Sequence, residues 1–342
     1  MKETFRQVEH GPGAIALLLC FAAVVAALNP AFTHAGSRWG ADYFPNVLLI
    51  TQDGKPVSFY EDLLKGKSVV INLVFTECKD GCPLETARLA QVQRLLGDRA
   101  GKEIFFYSIS IDPVRDTPEV LKAYADKFNA DPRWLFLTGD EKDIKLVSKK
   151  LGLTSINDFA DRDGHLPTLM IGNVPTGQWM RLSAVDDPRF LAAKISSFLI
   201  GWGSQQGGGK SYAAARPIQG LDGGSYLFRT RCAACHTIGQ GDGIGPNLSG
   251  VTEVRDRAWL ARFIRTPDKL LAENDPIAKE LFAKYKEVRM PNLRLGDGDV
   301  EILIQYLEKQ TASPQNGEAR NWREHDAQAQ EASRGFKKLE KE

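Results

Sequence analysis

The sequence predicts an α/β domain on a central sheet, then a small all-α domain, behind an N-terminal apolar segment. Three observations carry that prediction. Between 42 and 200, short apolar runs alternate with segments of helical period. From 221 to 311 the chain reads mostly helical. Residues 14–28 read AIALLLCFAAVVAAL, with no polar side chain.

The elements of the first domain follow in order. VLLI (47–50) is a short strand, and VVINLVF (69–75) is the continuous apolar run of a strand buried on both faces. Leu89, Val92 and Leu96 recur at helical spacing, so a helix runs from near Pro83 to Gly97. IFFYSISI (104–111) is a second buried strand. Thr117 is a helix cap with Pro118 at the first helical position. WLFLTG (134–139), a helix over DIKLVSKKLGL, PTLMIG (167–172), QWMRLS (178–183) and a helix over 188–200 complete the pattern. Residues 201–220 are rich in Gly, Ser and Gln and read as a flexible linker. In the second domain, Val300, Leu303, Ile304 and Leu307 mark a closing amphipathic helix. Residues 312–342 read as a polar tail.

The chain has 342 residues, 44 Lys and Arg against 43 Asp and Glu, and a net charge of +1. That balance gives no basis for nucleic-acid binding. No charge falls between Glu9 and Arg38, so residues 1–38 read as a membrane anchor, with a cleaved signal peptide as the alternative. Either reading exports the rest, to the periplasmic side of the cytoplasmic membrane.

Five cysteines are present: Cys20 in the apolar run, and two close pairs. The downstream pair lies in RCAACHTIG, as Cys232 and Cys235 followed by His236. C-x-x-C-H attaches one haem c covalently: two thiols add to its vinyl groups and the imidazole ligates the iron. A zinc half-site would need two more nitrogen or sulfur ligands, and past His236 there is one histidine, His325, and no cysteine. Past the linker the one methionine is Met290, in EVRMPNL, which makes it the leading second axial ligand, ahead of His325. Pro291 turns Met290 out of helical geometry. In GIGPNL, the carbonyl of Pro246 is placed to accept the Nδ1 proton of His236. CAACH, GPNL, WLARFIRTPD, RMPN and the closing helix together resemble class I cytochromes c. The resemblance implies a small helical one-electron carrier.

The upstream pair lies in FTECKDGCP, with three residues between Cys78 and Cys82. Pro83 is at home at a helix start, so both sulfurs belong in a loop or first turn, where the helix end favours thiolate. Thiolates are soft ligands suited to Cu(I), particularly with an imidazole. The globular part of this domain has one histidine, His165, just before PTLMIG. A redox dithiol, a structural disulfide and, less favourably, a zinc site are the alternatives.

VFTECKDGCPLE, SISIDPVRDTPEVLKAYADKF, WLFLTG and DGHLPTLMIG together resemble the SCO/SenC family. That resemblance implies a thioredoxin-like fold and one copper held by Cys78, Cys82 and His165. It also implies a role in assembling the copper centre of cytochrome c oxidase, with the copper-bearing oxidase subunit or another periplasmic redox protein as partner. Asp112 matches a family motif position, with a structural role as the expectation. The function expected is therefore a copper metallochaperone with an electron-transfer domain, not a committed enzyme. Two alternatives stand beside it: a thiol-disulfide oxidoreductase in which Cys78 attacks and Cys82 resolves, and a membrane-tethered electron carrier or redox sensor.

Overall fold

A computed structural model describes residues 39–78, 81–153, 167–199 and 222–312. The anchor or signal segment (1–38), the linker (201–220), His165 and the tail beyond Ala312 lie outside the described residues. Among the described residues no helix is long and apolar enough to cross a membrane.

The first domain is a mixed seven-stranded sheet in the order β2-β1-β5-β4-β3-β6-β7. Its strands are β1 (Leu48–Thr51), β2 (Pro56–Ser58), β3 (Ser68–Val74), β4 (Ile104–Ser110), β5 (Leu135–Gly139), β6 (Thr168–Asn173) and β7 (Gln178–Ser183). Strands β3, β4 and β5 run parallel, whereas β1, β6 and β7 pair antiparallel with their neighbours. The register sets Ile71 of β3 between Tyr107 of β4 and Met170 of β6. This central position explains the unbroken apolar run: in β3 only Ser68 is not fully buried. A parallel β3-helix-β4 unit beside an antiparallel β6-β7 hairpin is the thioredoxin-like arrangement.

Helices α1 (Gly81–Leu96), α2 (Pro118–Lys127), α3 (Glu141–Leu151) and α4 (Pro188–Leu199) surround the sheet. The Thr117 side chain accepts a hydrogen bond from the backbone of Val120 and so caps α2, with Pro118 in the first turn. Asp140 caps α3, which ends on Gly152 in the left-handed conformation. Two features depart from the sequence reading. Strand β2 and the π-helical turn Phe59–Leu64 were not anticipated, because three residues and one turn carry too little periodicity. Helix α1 begins at Gly81, so Cys82 is already helical and Pro83 sits inside the first turn. There its missing N–H leaves no intrahelical bond unmade.

The second domain is helical: α5 (Gly223–Leu227), α6 (Val251–Val254), α7 (Arg257–Arg265), α8 (Pro267–Ala272), α9 (Pro276–Lys284) and α10 (Asp297–Ala312). A π-helical turn, Phe228–Cys232, carries α5 into the CAACH segment. Asp222, Asp256 and Asp275 each cap a helix by accepting from a backbone N–H three residues on. Val300, Leu303, Ile304 and Leu307 of α10 form the core with Phe228 and Leu260. Helices α5 and α10 approach most closely at Gly224. A Cβ there would lie 2.5 Å from the Tyr306 Cβ and 2.8 Å from the Ile302 carbonyl oxygen. We expect Gly224→Ala to force these helices apart and cost about 1–3 kcal/mol. Urea unfolding followed at the second domain measures it, and an unchanged midpoint refutes the close approach.

Candidate functional site

Strand β3 ends at Val74, and the chain turns through Thr76 and Glu77 to Cys78. The Cys78 amide donates to the Phe75 carbonyl at 3.3 Å, which closes the turn. The first turn of α1 then returns Cys82 to it: the Cys82 backbone N–H points at the Cys78 sulfur, 3.5 Å away. The α1 N-terminus thus presents its partial positive charge to Cys78. Both residues are buried, at 5% and 1% exposure. This corrects the expectation that both sulfurs favour thiolate. The bond shared with Cys78, then burial, push the Cys82 thiol well above its ordinary range. Two adjacent sulfurs out of water form a donor set that fits a soft monovalent metal.

A polar network lies beneath the pair, and the sequence reading missed it. Glu85, one turn after Cys82, is 1% exposed. Its Oε1 accepts from Asn72 Nδ2 at 2.9 Å. Asn72 Oδ1 accepts from Ser108 Oγ at 2.6 Å, and Ser108 Oγ from Trp134 Nε1 at 3.0 Å. Glu85 Oε2 has no hydrogen-bond partner. Burial holds the Glu85 carboxyl well above the usual carboxylate range, and the charge of Cys78 adds to that; the Asn72 bond opposes it. The available signal was Asn72, the one polar residue inside an otherwise apolar β3.

Asp112 and Asp116 share the loop after β4. Asp112 is 2% exposed and pairs with Arg115 at 2.8 Å. Asp116, passed over in the sequence, accepts from Ser110 Oγ at 2.5 Å and from Thr76 Oγ1 at 2.6 Å. It therefore ties the β4 loop to the turn that carries Cys78. Burial raises its carboxyl, opposed by the bonds from Ser110 and Thr76.

In the helical domain, Cys232, Cys235 and His236 lie on one loop. The backbone of His236 donates to the Cys232 carbonyl at 3.0 Å. His236 Nδ1 is 2.9 Å from the Pro246 carbonyl oxygen. A carbonyl only accepts, so Nδ1 carries the proton and Nε2 keeps its lone pair for a metal. Burial lowers the His236 pKa, which keeps the imidazole neutral. Gly245 packs on the ring: a Cβ there would meet its Cε1 at 2.7 Å. Burial pushes both cysteine thiols up to about 12. An oriented neutral imidazole, two cysteines and a glycine cradle fit a covalently held haem. Met290 is half-buried in the irregular stretch between α9 and α10 and is not helical. Lys286 and Glu287, both left-handed at φ 55° and 57°, turn the chain into that stretch. The Asn292 side chain donates to Asp268 Oδ1 at 2.9 Å and anchors its far side.

The two loops meet one helix. Cys82 lies in the first turn of α1, and further along it Gln91 Nε2 donates to the Ala233 carbonyl, between the two haem-motif cysteines, at 3.0 Å. Arg88 Nη2 donates to the Thr230 carbonyl. Ala234 is buried in the core of the α/β domain, and Cys235, Ile244, Val288 and Leu293 pack against it.

These features define a class: an α/β dithiol domain fused to a helical domain of haem-attachment type. The family comparisons are specific. Residues 39–165 match the SCO1/SenC family and residues 221–311 the cytochrome c family, so the chain carries an SCO1/SenC domain followed by a cytochrome c domain. A SCO2-like protein of Rickettsia prowazekii is 36% identical over 115 residues, 34% of this chain and 54% of that protein. Mitochondrial SCO2 of Saccharomyces cerevisiae is 42% identical over 98 residues, 29% of this chain and 31% of that protein. The chain thus spans about half, or less, of the length of these curated relatives. Among solved structures, the cytochrome c domain of the pp3183 protein from Pseudomonas putida is 52% identical, covering 26% of this chain and 89% of that one, with a TM-score of 0.25. Copper-bound ScoI of Bradyrhizobium japonicum is 26% identical, covering 44% and 96%, with a TM-score of 0.36.

The buried Glu85 gives a signed pH prediction. Its folded pKa is raised, so between the ordinary carboxylate range and the folded value the folded state binds more protons than the unfolded one. Stability therefore falls as pH rises through that window. In thiol-reduced, metal-free protein, urea midpoints between pH 5 and pH 8 should decline, and Glu85→Gln should flatten the decline. An equal slope in both proteins refutes a buried neutral acid.

Proposed function

We propose that this chain is an exported copper-handling protein of the SCO type, with a covalently attached haem as its own one-electron partner. The observation that carries the reading is the buried Cys78–Cys82 pair at the start of α1, where the Cys82 amide meets the Cys78 sulfur at 3.5 Å. Two soft sulfurs so placed suit Cu(I), and His165 is the third ligand in this proposal. The SCO1/SenC match supports a role in building the copper centre of cytochrome c oxidase, with the copper-bearing subunit as recipient. The apolar run at 14–28 supports attachment at the periplasmic side of the cytoplasmic membrane.

Haem held through Cys232 and Cys235, with His236 and Met290 as axial ligands, supplies one-electron chemistry when bound. The residues of the chain have the remaining tasks. Pro246 orients His236, Gly245 seats its ring, and Asp116 holds the turn of Cys78. Dithiol exchange at the same cysteines is the second reading, favoured by the close approach of Cys82 to the Cys78 sulfur.

Copper titration of the thiol-reduced exported region separates the two readings. One equivalent of tightly bound copper is expected, falling by at least about 100-fold in affinity in His165→Ala while disulfide exchange persists. Retention of stoichiometric copper by that variant removes His165 from the ligand set. In the visible spectrum, Met290→Ala is expected to abolish the methionine-to-iron absorption band of the oxidised protein. A band that survives assigns the sixth ligand elsewhere.

A further inference from the structure

Arg88 is the least expected side chain in the molecule. It sits in the middle of α1, a long charged residue at 1% exposure. Its bonds go to carbonyl oxygens and not to carboxylates: Nη1 donates to Asp186 at 2.8 Å, and Nη2 to Thr230. Its Nε has no partner. The guanidinium stays charged, since arginine does not deprotonate in proteins. Asp186 and Asp187 bear on it electrostatically, as does Arg231 with the opposite sign. A buried charge satisfied only in part is costly, and a cation in the core of a domain calls for a reason.

Its position supplies one. Thr230 is two residues before Cys232, so the guanidinium that donates to its carbonyl stands beside the haem-attachment loop. Gln91, one turn further along α1, holds the Ala233 carbonyl on the same loop. The haem-attachment loop is therefore seated on the α/β domain through a buried cation. That cation comes from the helix whose first turn carries Cys82.

We propose that Arg88 is a positioning residue that sets the redox potential of the haem centre from the copper domain. The inference rests on covalent haem at Cys232 and Cys235. Reduction adds one electron at the iron with no bond made or broken, so a fixed cation in a low-dielectric site favours the reduced form. The same guanidinium anchors the loop to α1. Cys82 lies six positions earlier on that helix, about 9 Å along its axis at ~1.5 Å per residue. The dithiol site and the support of the haem loop thus share one helix.

The test is spectroelectrochemistry of the full haem-loaded chain. Arg88→Gln removes the charge and keeps hydrogen-bond donors. It is expected to lower the reduction equilibrium about tenfold, a fall of about 59 mV for one electron. Arg88→Lys, which keeps the charge, should stay within about threefold of the parent. Gln91→Ala loosens the loop without changing charge and should leave the potential near the parent value. An unchanged potential in Arg88→Gln overturns the proposal, as does an equal fall in Gln91→Ala, which would trace the effect to loosening. If Arg88→Gln does not fold, Arg88→Met supplies the same neutral comparison. Haem that extracts into acidified acetone refutes covalent attachment itself, a result distinct from covalent haem with an unmoved potential.

Discussion

The burial of helix α1 from Cys82 to Ala90 is the constraint on which the rest of this structure depends. One face lies on the sheet through Leu89, Val92 and Leu96. Yet Glu85, Thr86, Arg88 and Gln93 are also buried. Each is a polar group out of water, which is tolerable only with partners. Asn72 from β3 serves Glu85, Tyr124 from α2 serves Thr86, and the carbonyls of Asp186 and Thr230 serve Arg88. The helix is held by the strand before it, by the loop before α4 and by the cytochrome domain.

This arrangement explains the uneven chemistry of the cysteine pair. A helix N-terminus open to water lowers thiol pKa values through its partial charge. Here the same terminus is enclosed, and desolvation acts against the helix charge. Cys82 is pushed up, while its backbone N–H supports the Cys78 sulfur. The Cys78 contact and the burial of the pair act together on Cys82, and the arrangement suits metal capture as well as exchange.

The haem loop shows the converse case, in which local sequence and local structure agree. GIGPNL follows CAACH closely enough that a single turn returns the Pro246 carbonyl to His236. Gly243 and Gly245 are needed there because the chain passes so near itself: a Cβ on Gly243 would come within 2.7 Å of the Cys235 carbonyl oxygen. Short-range steric demands of this sort leave a trace in composition, and they were legible without a structure. Asp116 left no such trace. Its partners, Thr76 and Ser110, come from two different strand ends, and nothing in DPVRDTP distinguishes it from Asp112 beside it.

By itself the sequence determined the alternation of strands and helices, the buried character of β3 and β4, the cap at Thr117, and the two cysteine motifs. All of these follow from interactions between residues near in the chain, whose period and spacing are written locally. Only the tertiary structure decided what covers the polar side of α1. In the sequence, Leu89, Val92 and Leu96 mark an apolar stripe, and nothing assigns a partner to the polar Glu85, Arg88 and Gln91. In the fold that face is buried or bonded, because Asn72 reaches it from the sheet and the CAACH loop reaches it from more than a hundred residues downstream. Whether a charged helix face meets water or another domain depends on which surface is brought to it, and no local pattern records that.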